Sequence, residues 1–162
     1  MSSFLFIEGV TGEVSDPNYK GWLDITRWKC DISRNITSST STQGDRESAN
    51  ATIGDLFITR YMDKATAKLF IEAACGRGKQ IKLAQTKTGT GSGTDTFIEY
   101  TLDNAIISDY MVEAVNISGT RPREDIKISF VNIEVKYTPY DEDGHAQAPI
   151  AVGFDTATNT KK

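Results

Sequence analysis

Histidine is almost missing: His145 is the only one in 162 residues. One imidazole cannot build a multi-histidine metal centre, and no nucleophile–base–acid set can be assembled around it. Cysteine is scarce too. Cys30 and Cys75 stand far apart, which excludes a disulfide framework or a paired-cysteine metal motif. Both read as small buried or half-buried side chains in a reducing compartment. There is no basic excess. The formal net charge is −4, so the electrostatic footprint of a nucleic-acid binder is lacking. The loose cluster Lys64, Lys68, Arg77, Lys79 and Lys82 reads as a solvated rim. No apolar run approaches membrane-spanning length, which argues against membrane insertion. Met1 to Glu8 lacks a basic start and a long apolar stretch, so no cleavable signal is expected. The length suits one domain, 1–162.

What is present is strand pattern around one helical pattern. In Met62 to Gly76, Ala65, Leu69 and Ala73 recur every four residues, with Phe70 and Ala74 beside them. Asp63 is placed to accept from a free N–H of the first turn, and Gly76 to end the helix in a left-handed conformation. Leu69 is predicted to face inward. Strands are predicted over Phe4–Ile7, Trp22–Ile32, Ala51–Ile58, Lys79–Thr88, Thr94–Leu102, Ala105–Val115 and Ile126–Tyr137. In Trp22–Ile32 the apolar parity switches: Leu23 and Ile25 lie on one phase, Trp28, Cys30 and Ile32 on the other. Ile126, Ile128 and Phe130 give way in the same manner to Ile133, Val135 and Tyr137. Such a flip marks a bulge, a barrel corner, or burial on both faces. Residues 33–50 form an extended polar loop with almost no apolar content. Residues 138–162 read as a C-terminal tail.

The remaining motifs carry little chemistry. Asp141, Asp143 and Gly144 resemble a piece of a calcium loop, but the later bidentate glutamate is missing. The preferred reading is a turn after a strand. Gly89, Gly91 and Gly93 precede a strand rather than a helix, so they read as a hairpin tip and not as a phosphate cradle. Trp22, Trp28, Tyr61 and Tyr110 sit within apolar patterns and are assigned to core packing. Asn35, Asn50 and Asn116 begin glycosylation-like triplets that read as chance matches. We assign no catalytic residue, no metal ligand and no cofactor.

Three segments together resemble the Hcp family, the haemolysin-coregulated proteins of bacterial type VI secretion systems. The first is Phe6-Ile7-Glu8-Gly9-Val10-Thr11-Gly12-Glu13 with Gly21-Trp22-Leu23-Asp24-Ile25 and Trp28. The second is Thr59-Arg60-Tyr61-Met62-Asp63-Lys64-Ala65-Thr66, running into Leu69 and Cys75-Gly76. The third is Arg121-Pro122-Arg123-Glu124-Asp125-Ile126-Lys127-Ile128-Ser129-Phe130, followed by Ile133 to Tyr137, Asp143-Gly144 and Gly153-Phe154-Asp155. Val14 and Ala67 depart from the family's usual serine and proline.

The resemblance implies a mainly β fold: a two-sheet, β-barrel-like domain with a single α-helix, assembling into a hexameric ring. It implies self-association into stacked rings that form the inner tube. The implied partners are the contractile sheath and spike, with effector cargo in the channel. It also implies assembly in the bacterial cytoplasm, then secretion outside the cell or into a target cell. Alternation puts Arg27, Lys29 and Asp31 opposite Trp28, Cys30 and Ile32; matched to the family, that charged face is expected to line the channel, the alternative being an ordinary outer face. The loop residues Thr37, Ser38, Ser39, Thr42, Gln43, Gly44 and Asp45 are expected to contact another subunit or ring. A phage-type tail-tube subunit, a monomeric ligand-binding β-barrel and an enzyme remain as alternative readings.

Overall fold

The computed structural model describes residues 1–36, 49–89 and 94–162. The loop residues Thr37, Ser38, Ser39, Thr42, Gln43, Gly44 and Asp45, and the glycines Gly91 and Gly93, lie outside the described residues. The strands are β1 (Ser2–Ile7), β2 (Leu23–Ile25), β3 (Arg27–Lys29), β4 (Ile32–Arg34), β5 (Ala51–Ile53) and β6 (Leu56–Tyr61). Helix α1 (Thr66–Cys75) follows. Then come β7 (Lys79–Thr88), β8 (Thr94–Glu113), β9 (Arg123–Ser129), β10 (Asn132–Tyr137), β11 (Ile150–Asp155) and β12 (Thr160–Lys161).

One sheet runs β12-β11-β10-β8-β7-β1-β2, and a second runs β3-β6-β9-β8. The hinge between them is β8, 20 residues long. Its first half pairs with β7 and β10, its second half with β9. Alternation along β8 reads as two strands because the apolar phase breaks at the bend. Asn104 sits there with a positive φ of 49°, and the register with β9 slips between Ile107 and Asp109. The predicted break between Leu102 and Ala105 is therefore a corner inside a single strand.

The two other parity flips are corners where the chain changes sheets. Leu23 and Ile25 pair with β1, whereas Trp28 pairs with Ile58 of β6. Likewise β9 pairs with β6 and β8, and β10 with β8 and β11. Predicted strands Trp22–Ile32, Ala51–Ile58 and Ile126–Tyr137 thus each divide. Residues 138–162, read as a tail, contain β11 and β12, which extend the first sheet.

The core lies between the sheets, with Leu5, Leu23, Ile58, Leu83, Ile126 and Ile128 fully buried. Leu69 of α1 joins it, also fully buried. A smaller cluster forms on the opposite face of β1 and β7, where Tyr19 stacks on Phe4 with centroids 4.9 Å apart. The 10–22 segment that covers this cluster is pinned by Gly12, whose N–H donates to the Gly21 carbonyl at 2.7 Å. A Cβ at Gly12 would lie 2.3 Å from the Trp22 carbonyl oxygen, so only glycine fits.

The helix start and stop differ from expectation. Asp63 Oδ1 accepts from the Ala65 N–H at 2.8 Å, one residue before the first helical turn. Gly76 is extended, with φ −66° and ψ 156°, not left-handed. Its glycine is needed for close approach: a Cβ would meet the Glu72 carbonyl oxygen at 2.4 Å. Phe70 and Ala74, expected beside the inward stripe, are exposed, as are Cys75 and Tyr61. Cys30 is half-buried, and burial raises its thiol pKa.

Candidate functional site

The β3-β6-β9-β8 sheet has two faces of opposite character. Its inward side holds Leu56, Ile58 and Arg60 of β6 opposite Ile128, Ile126 and Glu124 of β9. Arg60 and Glu124 are therefore charged residues in phase with core aliphatics, and both are fully buried. Arg60 Nη1 lies 3.1 Å from Glu124 Oε1, and Nη2 lies 2.6 Å from Asp63 Oδ2. The Thr66 hydroxyl donates to Glu124 Oε1 at 2.6 Å, and the Tyr110 hydroxyl donates to Oε2 at 3.0 Å. Burial and the Glu124 charge keep the Tyr110 phenol protonated well above its usual range. Nearby, burial also raises the Asp24 carboxyl, opposed by the attraction of Arg60. This network ties the start of α1 to β6, β8 and β9. Arg60, Asp63 and Asp24 also border a cleft of about 480 Å³ that Glu13, Asp16 and Arg121 line with them; the paired charges themselves hold the elements together.

The outward side is polar and open. One cross-strand row runs Lys29, Phe57, Lys127 and Asp109; the next runs Arg27, Thr59, Asp125 and Met111. Arg123 is spent internally, 3.0 Å from Glu113 and 3.1 Å from Asp125. Lys29 lies 5.0 Å above the Phe57 ring. Arg27, Lys29 and Lys127 are exposed and enter no ion pair among the described residues. The structure thus brings Arg27 and Lys29 together on one face, as alternation predicted. Asp31 lies past the end of β3, where its backbone carbonyl accepts from Gly54 at 2.9 Å, so it does not continue that row. Lys127 and Phe57 belong to the same surface, and strand alternation in their own segments carried that signal.

Two other sequence features resolve simply. Asp141 Oδ1 accepts from the backbone N–H groups of Asp143 and His145 at 3.0 and 2.8 Å. That is a side-chain-closed turn after a strand, and it gathers ligand atoms of Asp141, Asp143 and His145 within 4.8 Å of one another. The second and third motif segments meet directly: Arg60 is the register partner of Glu124, and Met62 N–H donates to the Pro122 carbonyl at 3.0 Å.

The sequence profile described as "Type VI secretion system effector, Hcp" matches residues 4–137. The chain belongs to the Hcp family. Protein hcp1 of Pseudomonas aeruginosa is 26% identical, over 98% of this chain and 96% of that protein. A solved type six secretion system protein superposes with a TM-score of 0.90 at 24% identity, covering 99% of both chains. Hcp1 from Salmonella typhimurium gives a TM-score of 0.76 at 23% identity, over 99% of this chain and 98% of that one. The mainly β, two-sheet architecture with one helix among the described residues is the architecture of these Hcp structures. As an Hcp protein the chain is a tube subunit of the type VI secretion system, a secreted component of that machine. The phage-tube and ligand-barrel readings are not favoured.

Proposed function

We propose that this Hcp subunit closes into a six-membered ring whose channel wall is the outward face of β3, β6, β9 and β8. The rings stack, travel with the spike when the sheath contracts, and carry effector proteins in the channel without any catalysis of their own. The subunit assembles in the bacterial cytoplasm before it is secreted. The observation that carries this reading is the outward face itself: Arg27, Lys29 and Lys127 are exposed in adjacent rows and enter no ion pair among the described residues. Asp109 and Asp125 share these rows, so the positive character is concentrated at the β3 edge, at Arg27 and Lys29; that edge favours acidic cargo surfaces, and capture should weaken as salt screens it. Phe57 and Met111 add apolar contact between the charges. The polar loop 37–48 supplies a contact to a neighbouring subunit or ring.

The test is a charge reversal, Lys29→Glu, read by native mass spectrometry and by co-purification of an acidic effector. The ring should keep six chains while effector retention falls and loses its salt dependence. A ring structure with Lys29 on the outer circumference would overturn the channel assignment.

A further inference from the structure

The cleft beside Arg60 lies where the β1–β2 edge of the first sheet meets the end of β6. Its far wall is the segment that covers Phe4, and that wall is fixed. The Val14 N–H donates to the Trp22 carbonyl at 3.3 Å, and the Gly21 N–H to the Val14 carbonyl at 2.9 Å. Asp16 is held as well: Oδ1 accepts from the Asn18 N–H at 2.9 Å and Oδ2 from the Thr94 hydroxyl at 3.1 Å. On the near wall Arg121 Nη1 donates to the Met62 carbonyl at 3.1 Å. A cleft of about 480 Å³ between pinned walls has the size and rigidity of a small-molecule site.

The fold leaves two features of this lining unused. One is a donor. Arg60 is 1% exposed, and its two Nη groups are taken by Asp63 and Glu124. Its buried Nε–H has no hydrogen-bond partner among the described residues. A buried guanidinium N–H without an acceptor costs free energy, so this part of the cleft calls for an oxygen. The other feature is a pair of acceptors. Glu13 and Asp24 line the cleft and enter no ion pair among the described residues. Burial raises the Asp24 carboxyl, a penalty that an added cation relieves. In all, four carboxylates (Glu13, Asp16, Asp24 and Asp63) face two guanidiniums, Arg60 and Arg121. These carboxylates do not gather within metal-ligand reach of one another, so the cation they suit is an extended organic one. Tyr61, 44% exposed, adds its ring to the same lining, a surface on which a planar guanidinium can rest.

We infer that this cleft binds a free basic amino acid of the arginine type. Its two cations meet Glu13 and Asp24, and its carboxylate takes the Arg60 Nε–H and the remaining N–H groups of Arg121. Its side chain lies along Tyr61. Other ligand classes leave one part of the lining unmet. A polyamine brings no acceptor for Arg60. A dicarboxylate brings no cation for Glu13 and Asp24 and adds to their negative charge. A peptide C-terminus lacks the α-ammonium. The site stands apart from the channel wall, because Arg60 faces inward and Glu13 and Asp24 lie outside that sheet.

Isothermal titration calorimetry on the full-length protein tests this with L-arginine as the probe, and binding should saturate. Spermidine keeps the cations without a carboxylate. N-acetyl-L-arginine keeps the carboxylate without the α-ammonium. Each should bind at least about tenfold more weakly than L-arginine. Two variants separate the halves of the site, and both positions are exposed, so circular dichroism should match the unmodified chain. Asp24→Asn should weaken L-arginine by about tenfold, whereas Arg121→Gln should weaken L-arginine but not spermidine. The absence of saturable heat with L-arginine overturns the inference. So does equal affinity for spermidine, which would reduce the cleft to a patch of negative charge. Equal affinity for N-acetyl-L-arginine would overturn the free amino acid in favour of a peptide terminus. The three ligands compared on the unmodified chain decide the matter even where a variant fails to fold.

Discussion

The two faces of the β3-β6-β9-β8 sheet put their charges to opposite ends. On the inward face Arg60, Asp63 and Glu124 are locked together, out of water, within 3.1 Å of one another's partners. On the outward face Arg27, Lys29 and Lys127 stand in solvent with no ion partner among the described residues. The same side-chain types serve cohesion on one side and recognition on the other. The difference is desolvation. A buried charge stripped of its partner is left uncompensated, whereas an exposed one loses only a screened interaction.

The largest expected effect comes from breaking the inward set. Glu124→Ala leaves Arg60 half-compensated, and chemical denaturation should show a loss of about 3–5 kcal/mol. Replacing the pair together, Arg60→Met with Glu124→Leu, should recover most of that loss. If the double variant is as unstable as the single one, packing rather than charge compensation governs the site. Leu69→Ala comes next, at about 2–5 kcal/mol, as for other fully buried leucines. A much smaller loss would mean that α1 does not rely on its inward face.

On the outward side, Lys29→Glu should move stability by no more than about 0.5 kcal/mol while it changes cargo retention. A large stability change there would erase the distinction between the faces. A further effect is seen only in alkali. Burial, then the Glu99 and Asp16 charges, push the Tyr19 phenol from 10.0 to about 12. A folded-state pKa above the unfolded one adds stability that is complete below the unfolded value and is lost as pH rises through the folded value. Stability should therefore decline between pH 10 and about 12, and Tyr19→Phe should flatten that segment of the profile. An unchanged slope in the variant would assign the decline to other phenols.

Much of this was legible in the chain. The spacing of Ala65, Leu69 and Ala73 located the helix, and the parity flips at Ile25/Trp28 and Phe130/Ile133 located the corners. Segments alone could not show that β8 is one strand, because a bend that changes partners looks like a break. Gly76 misled because a glycine after a helix usually signals a left-handed turn, and only the Glu72 carbonyl beside it reveals the other reason. The Arg60–Glu124 pair left a signal: each sits on the apolar phase of its strand, beside Ile58 and Ile126. The outer stripe of α1 was equally open to reading, since Phe70 and Ile71 stand where a solvated helix carries polar residues.

The shared strand β8 has a mechanical meaning for a subunit of a tube that is driven forward. Both sheets hang from the same 20 residues, so a push on one sheet reaches the other along covalent backbone, not across a sliding side-chain interface. Detaching the first sheet means tearing β8 from both β7 and β10, and detaching the second means tearing the β8–β9 ladder. The subunit should therefore yield as a single cooperative unit, with the amides of the buried, ladder-paired Leu102 and Ile107 that flank the bend among the last to exchange with solvent.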